Sequence, residues 1–417
     1  MSNEGELCRR RTTCRLCDSA NLALVLSLTP TPPANAFVGQ AQLHERQPVY
    51  PLDVVFCRSC AHVQLSHVVD PKHLFSNYLY VSGTSPVFVR HFATYAEAVI
   101  ASAKLAPGDL VVEIGSNDGT LLRQFRDRGV RVLGVDPARD ISEGATASGI
   151  ETRTAFFNGG LATSIRSERG PAHCICANNV LAHVDDLGGL VDAARSLLAP
   201  RGVLVFEVSY LGDVLAKTLF DTIYHEHLDY HSVAPLIGFF RRHGMELFHV
   251  ERVDTHGGSL RGYACLKDGG HAIGSSVAAL VVSERAQRMD REDTFRAFAG
   301  QIATVGAQAR QCLSGLRRDG RTVVGFGAPA KATTLMYEFG LGRETIEFIV
   351  DDSPLKQGLF SPGLHVPILP SAALYERKAD YAVILAWNFA DSIMRSHAKF
   401  REAGGHFIVP LPQLTIH

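Results

Sequence analysis

The sequence predicts an α/β protein with two Rossmann-like units behind a small cysteine-bearing module. Three observations carry that reading. From about residue 109 onward, short apolar runs alternate with amphipathic stretches, the pattern of parallel strands joined by helices. Two glycine-rich turns, "EIGSNDG" and "GFGAPAKA", each follow such a run and open a helix, so the plan is played twice. Ahead of both lie two CxxC pairs, separated by the proline-rich "LTPTPPANAF".

At roughly 100–200 residues per domain, a chain of 417 residues holds two to four domains. Apolar residues make up 46% and charged residues 20%, ordinary for a globular protein and wrong for a disordered one. A net charge of -1 points to neither nucleic acid nor a membrane surface, so substrate charge must be met locally. No apolar run approaches the ~18 residues of a bilayer span. The first residues, "MSNEGELCRRRTTC", are polar and basic, unlike a secretory signal. The expected location is the cytoplasm, where nine cysteines do not build a disulfide framework.

The first element is the cysteine module. "CRLC" supplies Cys14 and Cys17, "CRSC" supplies Cys57 and Cys60, and 39 residues separate the pairs. Two such knuckles give one zinc ion four thiolates, leaving no position for substrate, so the expected metal is structural. A redox motif would need only one pair, placed after a strand. Cys8 is a weaker fifth candidate. The prolines between the knuckles argue against a regular core there, which makes the metal the staple of the module.

Next, "AHVQLSHVVDPKHLFSNYLYVSGTS" reads as a short strand and a loop, followed by a helix from about Val87 to Lys104. "DLVVEIGSNDGTLLRQFRDRG" is strand, turn and helix; "VRVLGVDP" is a strand ending in an acid. "CICANNVLAHVDDLGGLVDAARSLLAPRGVLVFEVSY" continues as strand, loop, helix and strand, and "MELFHVERVDTHGGSLRGYACLKDG" reads as an antiparallel pair. Residues 274–318 are helical, and a second alternation follows from "RTVVGFGAPAKATTLMYEFG" to "HFIVPLP". The expected borders are 1–75, 76–270 and 271–417.

In the first turn, Gly115 and Gly119 let the backbone bend sharply and approach a ligand. A dinucleotide fingerprint would read GxGxxG. Here Glu113, Asn117 and Asp118 place acids and an amide where a pyrophosphate would sit. That suits a cation such as S-adenosylmethionine. Asp136, ending the next strand, suits ribose hydroxyls, and "TAFF", Thr154 to Phe157, offers an adenine wall.

The ordered set "CRLC…CRSC", "EIGSNDG", "YHEH", "HGGSLR" and "GFGAPAKATTL" resembles the sugar C-methyltransferases over nearly the whole chain. "EIGSNDG" alone would say only methyltransferase; the combination is specific. The resemblance implies a class I methyltransferase core between an N-terminal zinc-binding module and a C-terminal Rossmann-like domain. It implies methylation of a carbon beside the ketone of a nucleotide-linked, dTDP-type 4-keto-deoxysugar.

Such chemistry needs a base to form an enolate, and the stretch "YHEHLDYHS", just beyond "VLVFEV" and "LGDVLAKTLFD", lies at the sheet edge where ligands bind. Histidine suits the task because its ordinary pKa lies near pH 6.5. By the resemblance, His227 is the base, Glu226 a substrate-contacting acid and Tyr224 an active-site tyrosine. His183 is implied as a second histidine toward the enolate oxygen, Asn179 as a cofactor or substrate contact, and Tyr78 as a tyrosine folded over the site, with Tyr80 behind it. Ser82, Gly83 and Thr84 are expected along the methionine end of the cofactor. Bland readings stand beside these: alternating histidines also hold metals, and a polar loop needs no role at all. His225 and His231 read as structural, and His256 in "HGGSLR" as either turn or site.

The second turn, with Gly325 and Gly327, offers loop amides and a helix N-terminus to an anion. Lys331, one turn in, adds positive charge, which fits the diphosphate of a nucleotide-sugar. Asp351 and Asp352 end the following strand, and Lys356 and Asn388 are further substrate candidates. NAD is the competing ligand, but methyl transfer has no hydride step. The rivals are an O- or N-methyltransferase of a small metabolite, which would leave the second turn unexplained, and a non-catalytic zinc-containing binding protein. Monomer and homodimer both remain open.

Overall fold

A computed structural model describes residues 7–75, 86–255 and 257–417. Its strands are β1 (Cys8–Arg10), β2 (Leu22–Thr31), β3 (Tyr50–Cys57), β4 (Val63–Leu65), β5 (His67–Val69), β6 (Leu110–Ile114), β7 (Arg131–Asp136), β8 (Thr152–Thr154), β9 (Ala172–Asn178) and β10 (Leu198–Ser209). They continue with β11 (Asp229–Tyr230), β12 (Met245–Val253), β13 (Ser259–Leu266), β14 (Val323–Phe326), β15 (Ile349–Val350), β16 (Ile368–Leu369), β17 (Tyr381–Ile384), β18 (His406–Val409) and β19 (Thr415–Ile416). Among the described residues these form a β1–β5 ribbon and three larger sheets.

The central sheet runs β12-β13-β10-β9-β6-β7-β8. Strands β6 to β10 pair in parallel, as buried Val/Ile/Leu runs require. The β12–β13 hairpin is antiparallel and docks β13 on β10, which is the class I methyltransferase core. Its order reverses between β6 and β9, and ligands of open α/β sheets bind outside the carboxyl ends at such a point. One face packs against helices Leu187–Leu197 and Val233–Arg242, the other against Pro86–Ala103 and Thr120–Arg126.

The C-terminal sheet, β16-β15-β14-β17-β18-β19, repeats the device, with its reversal between β14 and β17. Helix Glu292–Arg318 leads into it.

The N-terminal sheet departs from expectation. The proline-rich stretch begins inside β2, a strand of 10 residues that ends at Thr31. Pro30 is tolerated because β2 is the sheet edge, where no ladder donor is missed. Val25, Leu28, Leu52, Val54 and Phe56 give this sheet an apolar core, so the cysteines are not its sole staple. That core is continuous with Phe220, Ile223, Phe295 and the C-terminal sheet. The other edge is completed from far along the chain: β11, from within "YHEHLDYHS", pairs with β4 at Gln64↔Asp229 and Val63↔Tyr230.

Candidate active site

The four cysteines of the two knuckles converge, with all sulfurs within 4.8 Å of one another. Cys14 and Cys60 stand 3.6 Å apart and Cys17 and Cys57 3.5 Å. Four Zn–S bonds of about 2.3 Å in a tetrahedron separate their sulfurs by about 3.8 Å, so the donor set fits zinc. Cys8 lies in β1, outside the cluster.

At the central switch point, the turn after β6 is shaped for close approach. Gly115 has φ 70, and a Cβ there would stand 2.6 Å from Val180 Cγ2. Asp136 holds the turn: one carboxylate oxygen accepts from the Asn117 amide and the other from Ala138, both at 2.9 Å. Burial nevertheless raises its carboxyl above the usual value. Glu113 is buried under the turn, and its Oε2 has no hydrogen-bond partner among the described residues. Burial, with Cys176, Asp136 and Asp118 nearby, pushes its carboxyl well up. An anion here would face three acids; a cation would relieve them, so the residues fit S-adenosylmethionine. Asp118 also serves the fold, accepting from Thr120 Oγ1 at 2.7 Å at the start of the helix that follows Gly119. Of the "TAFF" pair, Phe157 packs inward and Phe156 is exposed.

The loops after β9 and β10 meet beside this turn. Asn179 has φ 55 and donates its amide to Glu207 O at 2.8 Å, which turns the chain toward His183. His183 and His227 then face each other with ring centroids 5.0 Å apart. Burial and the neighbouring His227 hold the His183 imidazole well below its usual pKa, hence neutral. His227 Nδ1 lies 2.7 Å from Thr222 O. A carbonyl only accepts, so Nδ1 carries the proton and neutral His227 keeps its basic lone pair on Nε2. Tyr224 Oη is 3.0 Å from that Nε2.

The three consecutive side chains of "HEH" do not converge. His225 Nε2 donates to Tyr50 O at 3.2 Å, and burial drives its pKa down to about 4. Glu226 accepts from Asn35 Nδ2 at 2.9 Å, and burial lifts its carboxyl to about 7. His231 is fully buried, stacked 5.7 Å from His62, with a pKa of about 4. Tyr78, Tyr80, Ser82, Gly83, Thr84 and His256 lie outside the described residues.

In the second turn, Gly327 has φ 85, and a Cβ would meet Ala386 Cβ at 2.7 Å. Gly325 sits within β14. Asp351 accepts from the Ala328 amide at 2.6 Å and from Ser353 at 2.8 Å. Lys356 Nζ donates to Ala328 O at 2.8 Å. Lys331 faces back onto Asp221 Oδ2 at 3.5 Å and lies 4.3 Å over the Trp387 ring. Trp387 Nε1 donates to the same oxygen at 2.6 Å. Asn388 follows on the loop after β17, its Oδ1 buried and without a partner among the described residues.

Sequence reasoning missed several residues at these edges. Asn178, paired in register with Glu207, has both amide atoms buried without partners among the described residues. Glu207 accepts from His91 at 2.8 Å and from Arg261 at 3.0 Å. Burial would raise Glu207, but His91 and Arg261 hold it below the usual range. Arg261 belongs to "HGGSLR", so that motif carried a signal whose partner was unreadable. Asn35 and Asp221 left no trace at all in the local pattern.

Three family models match along the chain. Residues 14–75 match a family described as a zinc binding domain, 89–250 a methyltransferase domain, and 254–412 a C-methyltransferase C-terminal domain. C-methyltransferase NovU of Streptomyces niveus is 37% identical over 400 residues, spanning 96% of this chain and 95% of that one. Among solved structures, the complex of the Haloferax volcanii Trm112 methyltransferase activator with a methyltransferase aligns at TM-score 0.35 and 18% identity, over 42% of this chain and 90% of that one. Magnesium protoporphyrin IX methyltransferase from Synechocystis PCC 6803 with bound SAH aligns at TM-score 0.34 and 17% identity, over 42% and 82%.

Proposed function

Because this chain belongs to the family of S-adenosylmethionine-dependent C-methyltransferases, we propose that it methylates a carbon beside the ketone of a nucleotide-linked 4-keto-deoxysugar, dTDP-linked in the first instance. The observation that carries this is the locked tautomer of His227: with Nδ1 donating to Thr222 O, Nε2 holds the basic lone pair, beside Tyr224 and with the His183 ring 5.0 Å away.

The Tyr224 hydroxyl, which donates to His227 Nε2 in the resting site, turns its hydrogen to the substrate, and the freed Nε2 lone pair takes the proton from the substrate carbon. The electrons move onto the ketone oxygen, where neutral His183 donates a hydrogen bond. Glu226, with a pKa of about 7, takes a substrate hydroxyl as donor or acceptor. Tyr78 is assigned to the same site by the family resemblance. Bound S-adenosylmethionine supplies an electrophilic methyl group, held by Glu113, Gly115, Asn117, Asp118, Gly119, Asp136, Phe157, Asn179, Ser82 and Gly83. The zinc held by Cys14, Cys17, Cys57 and Cys60 supplies structure. The second turn, with Gly325, Gly327, Lys331, Asp351, Lys356 and Asn388, takes the nucleotide-sugar. For Lys331 this means sharing its charge between Asp221 and the diphosphate.

We place the functional borders at 1–75, 76–270 and 271–417, and assign a cytoplasmic monomer or homodimer. Among the described residues no helix is long and apolar enough to cross a membrane.

The test is deuterium exchange into the carbon beside the ketone of a dTDP-4-keto-deoxysugar, followed by NMR with S-adenosylhomocysteine present to block transfer. Wild type exchanges that hydron, while His227→Asn loses exchange and ~10²–10⁴ of turnover, the worth of a positioned base. Affinity for S-adenosylhomocysteine stays unchanged. Exchange at the wild-type rate in the variant sinks the assignment of His227. Methylation of oxygen or nitrogen without carbon exchange would favour the small-metabolite reading.

A further inference from the structure

Arg15 stands between Cys14 and Cys17, and its side chain is fully buried. Nothing in the reaction described above uses it. Its Nε donates to Asp185 Oδ1 at 2.9 Å, and Asp185 follows His183 by two residues. Its Nη1 donates to Leu65 O at 2.8 Å and Leu228 O at 3.3 Å, and Leu228 is the residue after His227. The Leu228 amide in turn donates to Ala182 O at 2.6 Å, and its carbonyl accepts from the Leu65 amide at 2.8 Å. Leu228 is thus a backbone hub joining the two histidine loops to each other and to the cysteine module.

The second knuckle reaches the same place. His62, two residues past Cys60, contacts Asp229 Oδ1 at 2.7 Å, with both side chains fully buried. Arg9 and Arg11 also pair with Asp185, but Arg9 is 61% exposed. Buried charge of this kind is costly and adds little stability over an apolar substitute. Its expected use is to fix one geometry.

We propose that Arg15 is a positioning residue, which carries the shape of the cysteine cluster into the two loops that hold His183 and His227. The inference rests on the reading that those histidines act on substrate. Arg suits the task because its planar fork bonds an acid and two carbonyls at fixed angles, which lysine does not. A displacement of about 1 Å at a reacting group costs roughly 10²-fold in rate.

The test compares Arg15→Met, Arg15→Lys and Asp185→Asn with Arg9→Met as control. Each is measured for zinc content, for hydrogen–deuterium exchange by mass spectrometry over 180–186 and 222–231, and for kcat and KM separately. Arg15→Met and Asp185→Asn are expected to keep one equivalent of zinc, lose protection in both segments, and lose roughly 10²-fold in kcat with KM little changed. Arg15→Lys recovers part of the loss, and Arg9→Met behaves as wild type. Chelating zinc from wild type deprotects the same two segments, and adds nothing further in Arg15→Met, as expected for one coupled unit. Wild-type protection or wild-type kcat in both Arg15→Met and Asp185→Asn overturns the proposal. So does loss of zinc in Asp185→Asn, which would make the contact part of the metal fold alone. Failure of the histidine reading shows separately, as His227→Asn turning over at the wild-type rate.

Discussion

The two glycine turns share one scaffold and differ in what they do with charge. In each, a strand-end aspartate accepts from a turn amide and from the amide two residues beyond itself: Asp136 from Asn117 and Ala138, Asp351 from Ala328 and Ser353. In each, a glycine at positive φ lets a neighbouring wall close in. Beneath the first turn, however, Glu113 keeps a buried oxygen without a partner among the described residues. At the second, Lys331 is already engaged by Asp221 and Trp387. On the proposed reading the first carboxyl waits for a ligand, while the second group already joins the C-terminal sheet to the segment that precedes the histidine loop and has only a share of its charge left for one.

If that contrast holds, Lys331→Met should cost folding stability. It removes the counter-charge of Asp221, which is fully buried and keeps the Trp387 donor, and breaking such a pair costs about 3–5 kcal/mol. Urea unfolding at pH 8 reads this loss, with S-adenosylhomocysteine affinity unchanged. A variant as stable as wild type would make Lys331 a free ligand group and erase the difference.

Glu226, where the N-terminal loop meets the histidine loop, gives the next largest effect. Its folded pKa of about 7 exceeds the ordinary 4.5. The folded state therefore holds its proton longer, and stability falls as pH rises from about 4.5 through 7. Glu226→Gln keeps an acceptor for Asn35 and removes that loss, a gain of up to about 3 kcal/mol at pH 8.5 and none near pH 4. His225 and His231 act on the acid side. With folded values of about 4 they stay neutral, and stability drops as pH falls from about 6.5 toward 4 in both proteins. Parallel pH–stability curves for variant and wild type would refute the assignment.

The smallest effect sharpens the comparison most. Glu113→Gln should not destabilise the fold, since no partner is lost and the buried carboxyl, already pushed up, no longer has to ionise. It should weaken S-adenosylmethionine by about 10–100-fold, the worth of a hydrogen bond to a charged group. Calorimetry checks it, and unaltered affinity would mean the orphaned oxygen faces something else.

Much of this was legible from residue order. Alternating strands and helices, the two turns and the four cysteines are local signals, and the resemblance rested on the same motifs. What could not be read is pairing across distance. The Arg15–Asp185 contact spans 170 residues and the Trp387–Asp221 contact 166, so no window on the sequence holds both partners. The proline-rich strand failed for another reason: Pro30 is harmless only because β2 is an edge, and edge status is a property of the whole sheet. Lys331 was read by its distance from a turn, while its direction is set by Asp221 on another sheet's connection.

The pairing of β4 with β11 has a consequence for how this protein is made. Gln64 must wait for Asp229 before its sheet is closed. At about 5–20 residues per second, that is a delay of roughly 10–30 s, during which β4 leaves the ribosome with a naked edge. The nascent N-terminal sheet is then a template for any passing strand. Its completion coincides with the emergence of the histidine loop, so the step that covers this edge of the sheet also brings that loop into place.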